Sequence, residues 1–311
     1  MTEFELISKI ASQFSQCDMN GWEGIGDDCA VLPISDGKSL VISTDMLVED
    51  IHFLRNAATP YEIGYKSLAV NVSDVCAMGA RPTAALLSLS LPEDVMQEWV
   101  AEFMEGFSSL CKSCGVALVG GDTTASKERV TINVTIIGEA PSQNIKRRSA
   151  AKAGDLVVVN DKLGASGAGL RDILGGRSNT PEAQAHKMPR PMINEAVWLG
   201  SCSQVHAMMD ISDGVASDVR HIMERSRVGA EIELAHIPTD YDIETALCAG
   251  EDYKLLMTIS EDGFDRVAEE YFALFGERLY AIGRITDSCG ELRWVENGKT
   301  AEVDFRGFVH Y

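Results

Sequence analysis

The sequence predicts a two-domain α/β protein, and three observations carry that reading. Its 311 residues, 45% hydrophobic and 24% charged, are enough chain to bury two modest cores. In each half, short apolar runs alternate with amphipathic helical stretches. Between the halves, Pro141-Ser142-Gln143-Asn144 and the basic Lys146-Arg147-Arg148 interrupt the pattern, which gives a first domain over 1–140 and a second over 150–311.

The first domain opens with a short helix over Glu5 to Phe14, where Leu6, Ile7, Ile10 and Phe14 repeat at helical spacing. Gly24-Ile25-Gly26-Asp27-Asp28-Cys29-Ala30-Val31 then makes a glycine-rich turn that presents two adjacent carboxylates. Ser39 to Ile42 is a strand expected to stop at Ser43-Thr44-Asp45. Pro60 to Met78 is helical, with Leu68, Val72, Val75 and Cys76 as an inward stripe and Asn71 and Asp74 on its flank. A strand over Ala84 to Leu91 and an amphipathic helix over Glu93 to Cys114 follow, with Gly115 placed to cap the helix. Val116 to Val119 is a strand expected to end at Gly120-Gly121-Asp122-Thr123-Thr124, and Val130 to Gly138 alternates as another.

In the second domain Asp155 to Val159 is a strand, followed by the glycine-rich Leu163 to Leu170, which leads into a helix. Such a loop either brings backbone close to a phosphate or packs a strand tightly on a helix. Met192 to Cys202 is helical, and Met208-Met209-Asp210-Ile211-Ser212-Asp213-Gly214 then repeats the pairing of glycine and acid before a helix over Val215 to Arg225. Ile232 to Leu234 is a short strand and Tyr241 to Cys248 a short helix; Ala249-Gly250-Glu251-Asp252-Tyr253 turns into a strand over Lys254 to Ile259. A helix over Phe264 to Phe275 is followed by Ala281-Ile282-Gly283-Arg284-Ile285 and a hairpin turning at Asn297-Gly298, which lead to the tail.

Composition removes several function classes. A formal net charge of −20 repels polyanions, so no nucleic-acid partner is expected. The N-terminus lacks a signal-peptide pattern and no apolar run is long enough to span a bilayer, so the expectation is a soluble cytoplasmic protein without a membrane partner. Eight cysteines without paired spacing read as reduced thiols, and the one Cys111-Lys112-Ser113-Cys114 lacks the second pair a zinc site needs.

Asp28, Asp45, Asp74, Asp122, Asp210 and Asp213 form a set spread over the chain, nearly all at glycine-bearing turns or strand ends. Carboxylates brought close together need a divalent cation to offset their repulsion, and oxygen ligands that include Ser and Thr hydroxyls suit Mg²⁺. In an acidic protein, Mg²⁺ points to the phosphates of a nucleotide, yet neither a Walker A lysine motif nor a protein-kinase catalytic loop is present.

In chain order, Gly24 to Val31, Ser43-Thr44-Asp45 with Glu49-Asp50-Ile51-His52-Phe53, Asn71-Val72-Ser73-Asp74, Gly120-Gly121-Asp122-Thr123, Arg148-Ser149, Asp210 to Gly214, Gly250 to Tyr253 and Gly307 to Tyr311 closely resemble the thiamine-monophosphate kinase family. The resemblance spans essentially the whole chain. It implies the two-domain aminoimidazole ribonucleotide synthetase-like fold, with an N-terminal sheet pairing across a homodimer and a C-terminal α/β domain. It also implies ATP-dependent phosphorylation of thiamine monophosphate to thiamine diphosphate, assisted by several Mg²⁺ ions.

Carried over by motif, Asp28, Ser43, Thr44, Asp45, Asp74, Asp122, Asp210 and Asp213 are the implied metal ligands, with Asp27 the open alternative to Asp28. Gly121, Asp122, Arg148 and Ser212 match nucleotide-contacting positions, and His52, Glu251 and Phe308 match positions that hold the thiamine phosphate. No catalytic residue apart from the metal ligands is implied. Ala165 stands where an acidic residue is common in the family, and Asn194-Glu195 replaces its usual acid and glycine. A non-catalytic nucleotide-binding module and a metal-dependent phosphatase are the readings from other classes, separated from the kinase by turnover with a nucleotide donor.

Overall fold

The structure, a computed structural model, describes residues 3–14, 21–301, 303, 305 and 307. Its first half runs α1 (Glu3–Phe14), β1 (Ala30–Pro33), β2 (Lys38–Val48), α2 (Pro60–Ala77), β3 (Arg81–Leu91), α3 (Gln97–Cys114), β4 (Ala117–Ala125) and β5 (Thr131–Pro141). The second half runs β6 (Leu156–Val159), α4 (Ala165–Leu174), α5 (Pro181–Lys187), α6 (Ile193–Ser201), β7 (Val205–Asp210), α7 (Val215–Ser226), β8 (Gly229–Glu233) and α8 (Ile243–Cys248). It ends with β9 (Leu255–Ile259), α9 (Phe264–Phe275), β10 (Tyr280–Thr286), β11 (Leu292–Glu296) and β12 (Lys299–Thr300). No helix among the described residues is long and apolar enough to cross a membrane.

The first sheet has the order β1-β2-β5-β3-β4. β2 and β5 pair antiparallel along their whole length, from Lys38 opposite Pro141 to Val48 opposite Thr131. The pleat sends Val41, Leu47, Ala85, Leu87, Ile132, Val134 and Ile136 to one face, where they are buried against α2 and α3. α2 starts in a full capping box: Thr59 Oγ1 accepts from Glu62 N at 3.2 Å while Glu62 Oε2 accepts from Thr59 N at 2.8 Å. More than the predicted stripe of α2 is buried, including Lys66, Ser67, Asn71 and Ser73. The reason is tertiary, because the second sheet covers the side that the first leaves open.

That second sheet has the order β12-β11-β8-β10-β6-β9-β7. Alternation along its strands serves two cores at once. Met208, Leu255, Met257 and Ile259 join the core around α2, while Val157, Met209, Leu256, Ile282 and Trp294 pack with Val215, Val219 and Ile222 of α7. The Asn297-Gly298 turn closes β11 onto β12 with both residues at positive φ, 52° and 74°.

Several local expectations shift. Ser43-Thr44-Asp45 and Gly120-Gly121-Asp122 lie within β2 and β4, because ladder pairing with β5 and β3 carries each strand beyond its apolar run. α3 begins at Gln97 instead of Glu93, after an extended Met96. The glycine-rich stretch is already helical from Ala165, and its spacing serves packing: a Cβ on Gly169 would stand 2.0 Å from Glu182 O of α5. α5 and β1, short and bounded by polar turns, carried no periodic signal.

A candidate active site in an acidic cleft

A cavity of about 730 Å³ runs between the two halves, lined from β2, the following residues to Ala58, α2, the turn between β7 and α7, and Glu251. At one end Asp28, Asp74 and Asp210 hold carboxylate oxygens within 4.8 Å of one another. They arrive from three elements: the turn before β1, the C-terminal half of α2 and the last residue of β7. Each of two is anchored by a serine, Ser43 Oγ donating to Asp74 Oδ2 and Ser73 Oγ to Asp210 Oδ2, both at 2.5 Å. Asp45 stands beside them, its backbone N–H donating to Asn71 Oδ1 at 3.0 Å.

Burial, then Asp45, Asp210 and Asp28, push the Asp74 carboxyl far above the usual carboxylate range. Burial and Asp28 do the same to Asp210, and the same two causes raise Asp45 to about 6. The counter-charge at this end is Arg148, whose Nη2 donates to Asp28 Oδ1 at 2.6 Å and Nε to Oδ2 at 3.3 Å. Burial works against the guanidinium charge, but Asp28 and Asp210 outweigh it and hold Arg148 above its ordinary value. Asp27 turns the other way, accepting from the Arg148 backbone N–H at 2.7 Å, which leaves Asp28 facing the cluster.

At the other end the charges are matched. Glu251 Oε1 lies 3.0 Å from Lys66 Nζ, and its Oε2 lies 3.3 Å from His186 Nε2. His186 Nδ1 in turn shares a hydrogen bond with Ser166 Oγ at 2.9 Å. Lys187, also buried, pairs with Glu62 at 2.8 Å. Burial opposes ionisation of Glu251, yet Lys66 and His186 outweigh it and lower the carboxyl, while burial and Lys66 drive His186 down to about 4. Val48 N donates to His52 Nδ1 at 3.0 Å, so that ring carries its proton on Nε2 when neutral.

Glu251 is set in place by two turns packed together. Its N–H donates to Ser212 O at 2.7 Å, and Gly250, at φ 69°, passes so close that a Cβ would meet Ser212 O at 2.5 Å. The neighbouring Asp252 caps α4, accepting from Gly164 N at 2.7 Å and Ser166 N at 3.2 Å. Those amides already hold an internal carboxylate, so the glycine-rich stretch is a packing and capping device and not a phosphate cradle.

Of the residues singled out from sequence, Asp28, Asp74 and Asp210 meet directly, with Ser43 and Asp45 beside them. Asp213 lies instead with Asp218 and His221 of α7, its ligating atom within 4.8 Å of theirs. Ser212, His52 and Glu251 line the cavity, as does Thr44, whose hydroxyl bonds Val134 O at 3.1 Å and Thr135 Oγ1 at 3.0 Å. Gly121 and Asp122 are not brought to the cluster: they are exposed on edge strand β4, three strands from β2, about 14 Å at the usual strand spacing. Phe308 lies outside the described residues. Lys66, His186, Asp218 and His221 were missed. Lys66, Val70 and Asp74 fall four apart on one helix face, so a lysine on that apolar face was a readable signal.

Comparison with known proteins adds family membership. Residues 26–140 match the model for the AIR synthase related protein N-terminal domain and residues 152–295 that for its C-terminal domain. Thiamine-monophosphate kinase of Haemophilus influenzae is 35% identical over 100% of this chain and 98% of its own length. That of Escherichia coli K12 is 34% identical over 99% and 98%. Among solved structures, AaThiL complexed with AMPPCP and TMP superposes with a TM-score of 0.85 at 33% identity, covering 100% of this chain and 97% of that one.

Proposed function

The chain belongs to the thiamine-monophosphate kinase family of AIR synthase related proteins, and on that premise we propose how its cleft phosphorylates thiamine monophosphate with ATP to give thiamine diphosphate. The observation that carries the reading is one cavity with a carboxylate cluster at one end and a charge-matched carboxylate at the other.

The acidic end fits Mg²⁺. It offers only oxygen donors, and burial makes its shared negative charge costly until a cation offsets it. Asp28, Asp74 and Asp210 would hold the ions with Asp45 and Ser43, and Thr44 and Asp213 are the further ligands of this reading; Asp122, on edge strand β4, would join them only from a second copy paired through that sheet. Bound there, Mg²⁺ supplies charge neutralisation between donor and acceptor phosphates.

The chain's own residues do the rest. Arg148, clamped by Asp28 and fixed at its backbone by Asp27, presents a buried cation to the nucleotide phosphates, with Ser212 as a further nucleotide contact and Gly121 one supplied by the paired copy. Glu251, held ionised by Lys66, faces the cationic thiazolium with His52, and Phe308 is assigned the organic rings. The acceptor is a phosphate monoester already ionised at neutral pH, so direct in-line transfer needs no strong general base.

Edge strand β4 is exposed along its whole length, Leu118 and Val119 included, which supports a homodimer formed through this sheet. A cytoplasmic setting goes with the reading, since it supplies ATP and keeps thiols reduced. The test is a thiamine diphosphate assay with ATP, Mg²⁺ and thiamine monophosphate. Product formation that vanishes in Asp74→Asn is expected; no product from the unaltered chain, or full activity in Asp74→Asn, overturns the mechanism.

A further inference from the structure

Asp218 is not used by the mechanism above and is the least satisfied group near it. The side chain is fully buried, and neither of its carboxylate oxygens has a hydrogen-bond partner among the described residues. Native interiors rarely leave an acid in that state unless a proton or a cation completes it. Two further ligand types face it, because an oxygen of Asp213 and a ring nitrogen of His221 lie within 4.8 Å of its carboxylate and of each other. All three line the cavity, so an ion has a path in from the solvent side of the cleft.

We propose that Asp213, Asp218 and His221 form a cation site of their own, selective for a divalent ion softer than Mg²⁺, of which Mn²⁺ is the representative. The site rests on the kinase reading only in that Asp213 is a ligand there too. Its donor set differs in kind from the all-oxygen Asp28, Asp74 and Asp210. Imidazole nitrogen adds affinity for ions later in the Mn-to-Cu series, while two carboxylates keep the site competent for Mn²⁺.

Local structure supports the assignment. Asp218 and His221 stand three apart on α7, so the helix presents both on one face, and the Gly214 turn brings Asp213 back against that face.

The test uses the full metal-free chain and Mn²⁺ alone, without nucleotide or thiamine phosphate, followed by loss of the free-ion EPR signal. The unaltered chain is expected to bind one more tight Mn²⁺ than Asp218→Asn or His221→Gln, with half-saturation at that site at least roughly tenfold weaker in both variants. Pulsed EPR is expected to show coupling of the bound ion to a ring nitrogen, absent in His221→Gln. Asp74→Asn is expected to keep this class of binding while losing another. Unchanged isotherms in both α7 variants, or no nitrogen coupling from any tightly bound ion in the unaltered chain, overturn the site. Because no substrate is present, such a result leaves the kinase reading standing, and a chain devoid of kinase turnover would still report the extra Mn²⁺.

Discussion

The two ends of the cleft treat their carboxylates in opposite ways. Asp28, Asp45, Asp74 and Asp210 share one arginine, and their carboxyls rise where a shift is resolved. Glu251 and Glu62 each have a buried lysine of their own, with His186 added at Glu251, whose carboxyl falls. An uncompensated buried charge costs several kcal/mol, so a fold keeps a cluster of them only where an outside cation or protons complete it. The first end is therefore built for a ligand that brings charge. The second is neutral before anything arrives, and a cationic substrate must be recognised there by a carboxylate already aimed and ionised.

The sharpest way to break that contrast is to remove charge from the crowded end. Asp74→Asn is expected to lower turnover by about a thousandfold or more, since a metal-holding ligand is lost from the site of transfer. The same change is expected to raise the melting temperature of the metal-free chain, because it relieves repulsion among Asp28, Asp45 and Asp210. A metal-free Asp74→Asn protein that melts lower than the parent would mean the cluster is not repulsive as folded.

Removing charge from the matched end should do the reverse. Lys66→Met leaves the half-buried Glu251 without its main partner, at a cost of about 3 kcal/mol in denaturant unfolding, the low end for a buried pair. Adding Glu251→Gln to Lys66→Met should recover most of that loss. A double variant no more stable than the single one would show that packing, not charge matching, sets this end.

His186 gives the next largest effect. The unfolded ring takes a proton below about pH 6.5, whereas the folded ring refuses it until about 4. Its contribution is thus fully present above the unfolded value and is lost as pH falls from 6.5 to 4, up to roughly 3 kcal/mol. Asp45 has the opposite sign over much of that range, its raised carboxyl lowering stability as pH climbs toward 6. The informative measurement is therefore the difference between the parent chain and His186→Gln across the window. A flat difference would place the ring's protonation outside the fold's balance.

Legibility in the sequence followed the same division. Glycine beside aspartate is a local signal, and Asp28, Asp74 and Asp210 were readable because each carries its own turn or helix flank. The matched end depends on Lys66 from α2, His186 from α5 and Glu251 from the turn before β9, three elements whose meeting no local pattern encodes. Strand ends were misplaced at Asp45 and Asp122 because ladder pairing, a partner's property, extends β2 and β4 past their apolar runs. Asp122 was grouped with the cluster by its Gly-Gly-Asp context, while strand order puts it on the far edge.

The smallest effects offer the finest comparison, because the same edit can be made at both ends. Ser43 Oγ donates to Asp74 Oδ2, and Ser166 Oγ shares a hydrogen bond with His186 Nδ1. Ser43→Ala removes a donor to a carboxylate that Mg²⁺ would also engage, so the Mg²⁺ concentration for half-maximal activity is expected to rise by up to about tenfold, the equivalent of a hydrogen bond to a charged group. Ser166→Ala removes a bond to a neutral ring that is not part of that cluster. Its expected cost is about 1 kcal/mol of unfolding free energy with the Mg²⁺ dependence unchanged. Should Ser166→Ala shift the Mg²⁺ dependence as far as Ser43→Ala does, the two ends would be one coupled network through Glu251 and Ser212, and the division of labour drawn between them would fail.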